Sequence, residues 1–276
     1  MDALIVVVSY NDVANTVATV KSLIGQGRIV VWDNGSTDGT VERLEGLPVE
    51  VHASPTNVLW TPACNGAARK YLMDEDFILF SNNDIIYNPN VVERLIKALE
   101  DGYGIVAPTG ARLGGLQDFA KRWGSRRMGH LDSLPTVRTT YLVGASMMMW
   151  KNVWETVGEF DDLMPLGADD HDYCIRAKAE QHTLGVVNSA YVNHLGHASG
   201  KHAKAVWDEW GGKSWKVFEE KWAGYYINEE EALKCHWAAH YTPKWDVGTG
   251  WLTPEERQPI WDARASVLRG SPSVPT

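Results

Sequence analysis

The sequence predicts an α/β protein in which a mixed, mostly parallel sheet is flanked by helices and followed by a tryptophan-rich helical extension. Over the first hundred residues, short β-branched runs alternate with amphipathic stretches, as in successive βαβ units. Polar residues follow several of these runs at the edge where open α/β sheets bind their ligands. Beyond residue 203 lie eight of the thirteen tryptophans, which marks a change in composition.

Hydrophobic periodicity places the elements of the first half. Leu4–Val8 is an uninterrupted apolar run, typical of a strand buried on both faces. Apolar residues then recur at helical spacing from Val13 to Ile24, and Gly25 ends that helix. The same criteria predict strands at 28–32, 49–51, 77–80 and 105–107, and helices at 40–44, 62–73 and 91–101.

The second half is less regular. Residues 109–139 are Gly-rich and basic without clear periodicity, whereas the apolar segment Tyr141–Trp150 predicts a buried strand. A short helix is predicted at 153–157, and a longer one at 169–180 because acids fill its first turn, where the helix dipole favours negative charge. Helices are also predicted at 203–222 and at 254–268, the latter after a capping box.

Composition limits the classes of function. The 276 residues carry a formal net charge of −9, which argues against a general binder of nucleic acid or anionic membranes. Cys64, Cys174 and Cys235 form no C-x-x-C pair, so neither a zinc site nor a disulfide framework is expected. No apolar run reaches the length of a membrane span, and we expect a cytoplasmic protein without an integral membrane segment.

Common nucleotide-binding motifs are absent. The first strand leads into Val8-Ser9-Tyr10-Asn11 rather than a G-x-G-x-x-G fingerprint. The segment 196–202 resembles a P-loop, but its glycine spacing is one residue short and no Ser or Thr follows the lysine. The Gly- and Arg-rich loop that sugar nucleotidyltransferases carry after the first strand is also missing.

Oxygen ligands follow the fourth predicted strand. Asn82, Asn83 and Asp84 offer two amides and a carboxylate, which suit Mg²⁺ or Mn²⁺ carrying a diphosphate. The same residues are good turn formers, so the motif alone leaves both interpretations open. His194 follows a later apolar run and could add an imidazole ligand, although a lone histidine in such a place is commonly structural.

A denser acidic cluster contains Asp169, Asp170 and Asp172. Neighbouring carboxylates raise one another's proton affinity, which can tune one of them as a general base for an incoming hydroxyl. The alternative is a helix N-terminus that carries acids for its own stability.

The order and spacing of these segments resemble glycosyltransferase family 2, the inverting, nucleotide-sugar-dependent enzymes of the GT-A fold, over roughly residues 3–222. The most specific match is the stretch from Asp33 to Thr40, which is similar to the family's nucleoside-binding turn. Asn82–Asp84 occupies the family's D-x-D place, with Asn82 replacing the first acid. Gly158–Asp161 and Asp169–Asp172 then follow the acceptor-side pattern in order.

The resemblance implies roles for the matched residues. Those expected to border the nucleotide are Val8, Ser9, Tyr10, Asp33, Asn34, Asn65 and Asn83. Within this group, Asp33 would accept a hydrogen bond from a pyrimidine N3–H. Mn²⁺ or Mg²⁺ would be held by Asp84 and His194, with His197 as a competing ligand.

For the reaction itself, the resemblance implies that Asp170 is the general base, with Asp169 beside it. Lys201 and His202 would lie on the loop that closes over the diphosphate. The predicted activity is metal-dependent, inverting transfer of a sugar from a nucleoside-diphosphate sugar, with UDP or dTDP favoured, to an acceptor hydroxyl. A catalytically inactive relative that binds carbohydrate or nucleotide is the alternative.

The expected domains are a catalytic domain at 1–202, a tryptophan-rich helical extension at 203–269 and a disordered tail at 270–276. The catalytic domain would divide into a nucleotide-sugar-binding half at 1–108 and an acceptor-side half at 109–202.

The acceptor class stays open among a glycan, a lipid-linked sugar, a protein and a modified nucleic acid. Arg126 and Arg127 lie in the basic segment before the acceptor-side strand and would attract a phosphate-bearing acceptor, unless they form a solvated face. Further acceptor-side candidates are Gly144, Asp172 and Trp207. The tryptophans of the 203–222 helix either pack on the core or stack on sugar rings.

Overall fold

The computed structural model describes residues 2–119, 133–196 and 200–222, with backbone alone for residues 200–204. In this part of the chain, nine strands form one sheet. The strands are β1 Ala3–Ser9, β2 Arg28–Asp33, β3 Glu50–Ala53, β4 Phe77–Asn82, β5 Ile85–Tyr87, β6 Ile105–Ala111, β7 Thr136–Thr139, β8 Ser146–Trp150 and β9 Leu184–His194. The helices are α1 Val13–Leu23, α2 Thr40–Leu44, α3 Trp60–Tyr71, α4 Val91–Glu100, α5 Lys151–Val157, α6 Asp169–Ala179 and α7 Gly200–Lys221.

The sheet is mixed, as the sequence predicts. Its order is β3-β2-β1-β4-β8-β6-β9-β5, and β7 pairs with β9. The first four strands are parallel to one another, whereas β8 runs antiparallel between β4 and β6. Strand β9 is parallel to β6 and antiparallel to both β5 and β7. Strand β8 begins beside the carboxyl end of β4, where the Asn82 N–H donates to the Ala145 carbonyl at 2.8 Å.

Each face of the sheet packs against its own helices. Along β1, residues alternate between the two faces, so Leu4 and Val6 belong to one core cluster and Ile5 and Val7 to the other. The first cluster includes side chains from α3, α5 and α6, and the second includes side chains from α1 and α4. Burial on both faces explains why β1 is apolar throughout.

Two features of the structure differ from the sequence prediction. The predicted strand at Tyr141–Trp150 is a strand only from Ser146 onward. Residues 141–145 form a loop because their N–H groups bond to side chains, including those of Gln117 and Asp170. Strands β5 and β7 are three and four residues long, too short to produce a periodic signal, and were missed. The helix predicted at 254–268 and the tail at 270–276 lie outside the described residues.

Helix α7 packs against α6 through a buried carboxylate. Asp172 is fully buried, and its oxygens contact the Arg176 Nε and the Lys221 Nζ, each at 2.8 Å. The Trp222 indole N–H donates to the same carboxylate at 2.9 Å. Trp222 and Phe218 also join a small apolar cluster with Ile175 of α6. The predicted domain boundary at residue 202 falls in the first turn of α7, and the other end of that helix packs on α6.

Within the described residues, no helix combines the length and the apolar character that a membrane crossing requires.

The carboxylate of Asp172 gives a stability prediction. We expect Lys221→Met to lower the free energy of unfolding by about 2 kcal/mol at pH 7, because a buried charge loses one of its cations. Burial alone would raise the pKa of Asp172, but Arg176 and Lys221 hold it below its ordinary value. Its stabilisation is therefore present above about pH 4 and lost as pH falls further, so wild type and variant should converge in acid.

Urea denaturation at several pH values measures this difference. The matched control is Lys216→Met on the same helix, where the side chain is 76% exposed and pairs with Glu220 at 3.8 Å. That change should cost less than about 0.5 kcal/mol. Equal losses of unfolding free energy in the two variants would contradict the conclusion that the Asp172 carboxylate anchors α7 to α6.

Candidate active site

A cavity of about 450 Å³ lies at the carboxyl end of β4, between the 141–145 loop, the first turn of α6 and the end of β9. Asn82 and His194 line one part of it, and Asp169 and Asp170 line another. The structure therefore brings a predicted metal ligand and the predicted general base into one cavity, although they are far apart in the sequence.

Helix α6 begins in a way that presents its acids to this cavity. Gly167 and Ala168 both adopt positive φ, at +85° and +64°, and turn the chain sharply into the helix. A Cβ at Gly167 would lie 2.8 Å from the ring of Trp207, so glycine also leaves room for that tryptophan. Asp169 and Asp170 then occupy the first turn, where the helix dipole stabilises negative charge.

Asp170 accepts hydrogen bonds at both carboxylate oxygens. Its Oδ2 accepts from the Tyr141 hydroxyl at 2.8 Å and from the Gly144 N–H at 2.9 Å. Its Oδ1 accepts from the His171 N–H at 2.8 Å and lies 2.8 Å from the His171 Nδ1. Burial alone would raise the pKa of Asp170. The charge and hydrogen bond of His171 and the hydrogen bonds from Gly144 and Tyr141 outweigh burial, so the pKa is lowered. Asp170 is therefore ionised at neutral pH.

Asp169 is affected in the opposite direction. It is 5% exposed, and burial, followed by the negative charge of Asp170, raises its pKa well above the ordinary value. Burial, with a smaller contribution from Asp169, also raises the pKa of the Cys64 thiol. Of the two adjacent carboxyl groups, Asp170 is therefore the one whose charged form is favoured by its surroundings.

Asp84 and His194 meet because β5 pairs with β9. Ile85 stands opposite His194 in that register, and the Leu195 N–H donates to the Asp84 carbonyl at 2.9 Å. The His194 Nε2 consequently lies 3.3 Å from the Asp84 Oδ1. Asp84 and His194 were predicted to share one site, but the β5–β9 pairing that brings them together leaves no pattern in the sequence.

The chemistry of this pair fits a divalent cation. Asp84 Oδ1 is buried and has no hydrogen-bond partner among the described residues. His194 Nδ1 is 3.2 Å from the Arg112 carbonyl, which can only accept, so Nδ1 carries the proton. With a cation bound between them, the Nε2 lone pair and the Asp84 Oδ1 would both serve as ligands. The nearby Asn82 adds an amide, and no third His, Cys, Asp or Glu joins the pair within the described ranges.

The predicted nucleoside-binding turn is held by its own side chains. Asp33 is 1% exposed, and its carboxylate accepts from the N–H and the hydroxyl of Ser36 at 2.8 and 2.6 Å. The Ser36 hydroxyl also accepts from the Asn11 N–H at 2.8 Å, which ties the turn to the end of β1. A carboxylate offers about four acceptor sites, so Asp33 can accept further donors.

The ends of β1 and β4 are joined by a short hydroxyl network. Ser9 Oγ is 2.8 Å from Thr16 Oγ1, which accepts from the Asn83 amide at 2.9 Å. Val8 and Ser9 are buried at the end of β1, and Tyr10 is half-buried just beyond it.

Three predicted site residues have their polar groups occupied by neighbouring protein. Asn65 is fully buried and bonds to the backbone of Phe160 and the carboxylate of Asp162. Asn34 bonds to the backbone of residues 58 and 59. Asp172 faces α7, away from the cavity lining. The contacts of these three residues stabilise the fold, and none of the three residues lines the cavity.

Gly144 and Trp207 line the cavity, as expected of acceptor-side residues, and Trp207 is 48% exposed. Arg126, Arg127 and His197 lie outside the described residues, as do the side chains of Lys201 and His202.

Sequence reasoning missed several residues of this cavity. Tyr141 and His171 contact Asp170, while Arg112 lines the cavity beside His194. Trp60 and Trp215 add aromatic surface. The position of His171 next to the acidic pair was the one available signal, since the other contacts arise between distant segments.

Comparison with known proteins gives a family match. Residues 4–156 match the family described as Glycosyl transferase family 2. No protein of curated function matches the chain.

Among solved structures, GalNAc-T7 with UDP, GalNAc and Mn²⁺ superposes with a TM-score of 0.58 at 14% identity, over 84% of this chain and 53% of that one. Residues 1–349 of S. aureus TarS superpose with a TM-score of 0.59 at 16% identity, over 97% of this chain and 83% of that one. A longer TarS chain gives 0.52 at 16% identity, over 69% and 36%. The chain thus spans about half the length of GalNAc-T7, and these likenesses concern the fold.

The contacts of Asn65 give a prediction that separates a structural role from a nucleotide-binding one. Asn65→Ala should lower the free energy of unfolding by about 2–3 kcal/mol, because it removes the buried amide and leaves the Phe160 backbone groups unpaired. Urea denaturation measures the loss, and calorimetric titration with UDP should show unchanged affinity in the folded variant. Asn88→Ala, at an exposed asparagine, is the control and should change neither quantity.

Proposed function

The chain belongs to glycosyl transferase family 2, and we propose that it is a metal-dependent, inverting enzyme that moves a sugar from a nucleoside-diphosphate sugar to an acceptor hydroxyl, with Asp170 as the general base. One observation carries this proposal: a single cavity is lined by Asn82 and His194 on one part and by Asp170 on another. A donor diphosphate and an acceptor hydroxyl can therefore be held within reach of each other.

Membership of this family supports a glycosyltransferase with a nucleotide-sugar donor, and the GalNAc-T7 and TarS structures share its fold. The alternative predicted from the sequence, a catalytically inactive relative that binds carbohydrate or nucleotide, gains no support from a site in which the ionised Asp170 lines the cavity.

The nucleoside is proposed to bind at the turn after β2. The Asp33 carboxylate keeps acceptor capacity beyond its two bonds to Ser36 and can take the N3–H of a uracil or thymine ring. UDP or dTDP is therefore favoured over a purine nucleotide. The structure of GalNAc-T7 with UDP agrees with this preference.

The diphosphate is proposed to lie between the turn after β2, where the nucleoside would bind, and the cavity. Asp84 and His194, with Asn82 nearby, would hold Mn²⁺ or Mg²⁺, which when bound neutralises the charge of a departing diphosphate. Arg112 also lines the cavity, and its guanidinium, which donates to the Leu195 carbonyl, offers a further positive charge. The Mn²⁺ in the GalNAc-T7 structure supports a divalent cation in this fold.

The acceptor hydroxyl is proposed to approach Asp170 from the cavity. The Asp170 carboxylate removes the hydroxyl proton as the acceptor oxygen attacks the anomeric carbon from the face opposite the diphosphate. The new glycosidic bond forms as the bond to the diphosphate oxygen breaks, and the configuration at the anomeric carbon inverts. Trp60, Trp207 and Trp215 line this cavity and supply apolar ring surface for an acceptor sugar.

The role of Asp170 predicts a selective loss. Asp170→Asn should lower kcat at least about 100-fold, because the amide cannot take the acceptor proton. Affinity for UDP in the presence of Mn²⁺ should stay within about twofold, since the nucleoside turn is untouched.

Transfer from radiolabelled UDP-sugars and calorimetry with UDP measure these two quantities. Asp101→Asn is the control, because that side chain is 63% exposed and its ion pair with Lys97 is long, at 4.0 Å. Full activity in Asp170→Asn would reject the proposed base.

The metal ligands predict a binding defect that does not depend on turnover. Asp84→Asn and His194→Gln should each weaken Mn²⁺ binding at least about tenfold, because each removes one protein ligand. Electron paramagnetic resonance of Mn²⁺ titrated with protein and UDP measures this. His182→Gln, at the far end of α6, should bind Mn²⁺ like wild type. Activity that survives EDTA would contradict the metal requirement.

A further inference from the structure

Two aromatic rings face each other beside Asp170. Tyr141, in the loop before β8, and His171, in the first turn of α6, have ring centroids 3.9 Å apart at an interplanar angle of 31°. Each ring bonds to a different oxygen of the same carboxylate: the Tyr141 hydroxyl to Oδ2 and the His171 Nδ1 to Oδ1, both at 2.8 Å. We call this pair of rings the aromatic clamp.

The clamp is completed by the backbone. The Gly144 N–H donates to Oδ2 at 2.9 Å and the His171 N–H donates to Oδ1 at 2.8 Å, so each oxygen has two donors. A carboxylate ordinarily rotates over a broad range about its last torsion angle. With a donor pair on each oxygen, rotation of the Asp170 carboxylate breaks hydrogen bonds on both sides at once.

The clamp is backed by helix α7. The His171 ring lies 5.0 Å from the Trp215 ring and 5.9 Å from the Phe218 ring, both in edge-to-face arrangements. Helix α7 is itself held by the bonds of Lys221 and Trp222 to Asp172. The position of His171 therefore depends on packing from outside α6.

We propose that Tyr141 and His171 are positioning residues that hold the Asp170 carboxylate by both oxygens, fixing its direction and keeping it charged until one of its four donors gives way to the acceptor hydroxyl. This proposal rests on the proposed function, in which Asp170 is the general base. Neither ring is a catalytic residue in this account, since each acts through the carboxylate.

The electrostatic part of the proposal follows from which form of Asp170 the donors favour. Hydrogen bonds donated to a carboxylate stabilise its charged form, so removing either ring's donor should raise the pKa of Asp170. The other charged or titratable groups around Asp170 are Asp169 and Cys174 on its own helix, with Arg112 and His194 from other elements around the cavity. All of these remain in the variants described next.

The test compares variants that remove one donor while keeping a ring. Tyr141→Phe deletes only the hydroxyl, and His171→Phe keeps an aromatic ring without Nδ1. A general base acts in its deprotonated form, so the acidic limb of the kcat/KM profile should move to higher pH by about one unit in each variant. The kcat should fall about tenfold while KM for the nucleotide sugar stays within about twofold.

Two further variants serve as control and rescue. Tyr173→Phe removes a buried hydroxyl on the same helix that contacts the Met149 sulfur and not Asp170, and it should leave the acidic limb in place. His171→Asn keeps a side-chain N–H close to the position of Nδ1 and should restore part of the shift. Carbon-13 NMR of the labelled Asp170 carboxyl, titrated in the free protein, reports the same change without turnover.

The outcomes separate this proposal from the function on which it rests. If Asp170→Asn is inactive but the acidic limb and the NMR titration of folded Tyr141→Phe and His171→Phe match wild type, the clamp is ordinary packing and the proposal fails. If Asp170→Asn keeps full activity, the proposed base itself is wrong. Thermal unfolding establishes that each variant folds, and if His171→Phe does not, Tyr141→Phe carries the test.

Discussion

The buried carboxylate of Asp172 is the constraint on which the packing of α7 against α6 depends. A fully buried charge is tolerated only when it is paired, and here Arg176, Lys221 and Trp222 supply the partners. Two of these come from the end of α7, so neutralising the charge fixes that helix against α6. Helix α7 also carries the rings that pack on His171. The Asp172 interaction on one face of α6 therefore helps to position the Asp170 carboxylate on the opposite face.

Three aspartates at the start of α6 show how environment shifts the pKa of one residue type in different directions. Burial and the negative charge of Asp170 raise the pKa of Asp169. Hydrogen-bond donors around Asp170 and cations around Asp172 lower the pKa of these two groups. Burial disfavours the charge in all three, so the neighbours decide each outcome. The proposed base, a carboxyl group with a raised pKa and a structural anchor thus lie within four consecutive positions.

Two halves of the sheet meet at the proposed reaction centre. The parallel strands β1, β2 and β4 end in the nucleoside turn and the Asn82–Asp84 segment, as expected of an open α/β sheet. Strand β9 returns antiparallel to β5 and delivers His194 to Asp84. Strand β8 lies antiparallel to β4, and the loop before it supplies Tyr141 and Gly144 to Asp170. The antiparallel pairings therefore bring Tyr141, Gly144 and His194 to the edge of the sheet where the parallel strands end.

The sequence by itself determined the alternating elements of the first half and the family, because periodicity and the Asp33–Thr40 turn are local patterns. It also identified Asp84, Asp170 and His194 as candidates. Only the tertiary structure decided that Asn65 bonds to the 160–162 loop, that Asp172 faces α7, and that Tyr141 and His171 hold Asp170. Each of these contacts except that of His171 joins segments far apart in the chain. Strand pairing and burial therefore fix them, and neither leaves a local sequence pattern.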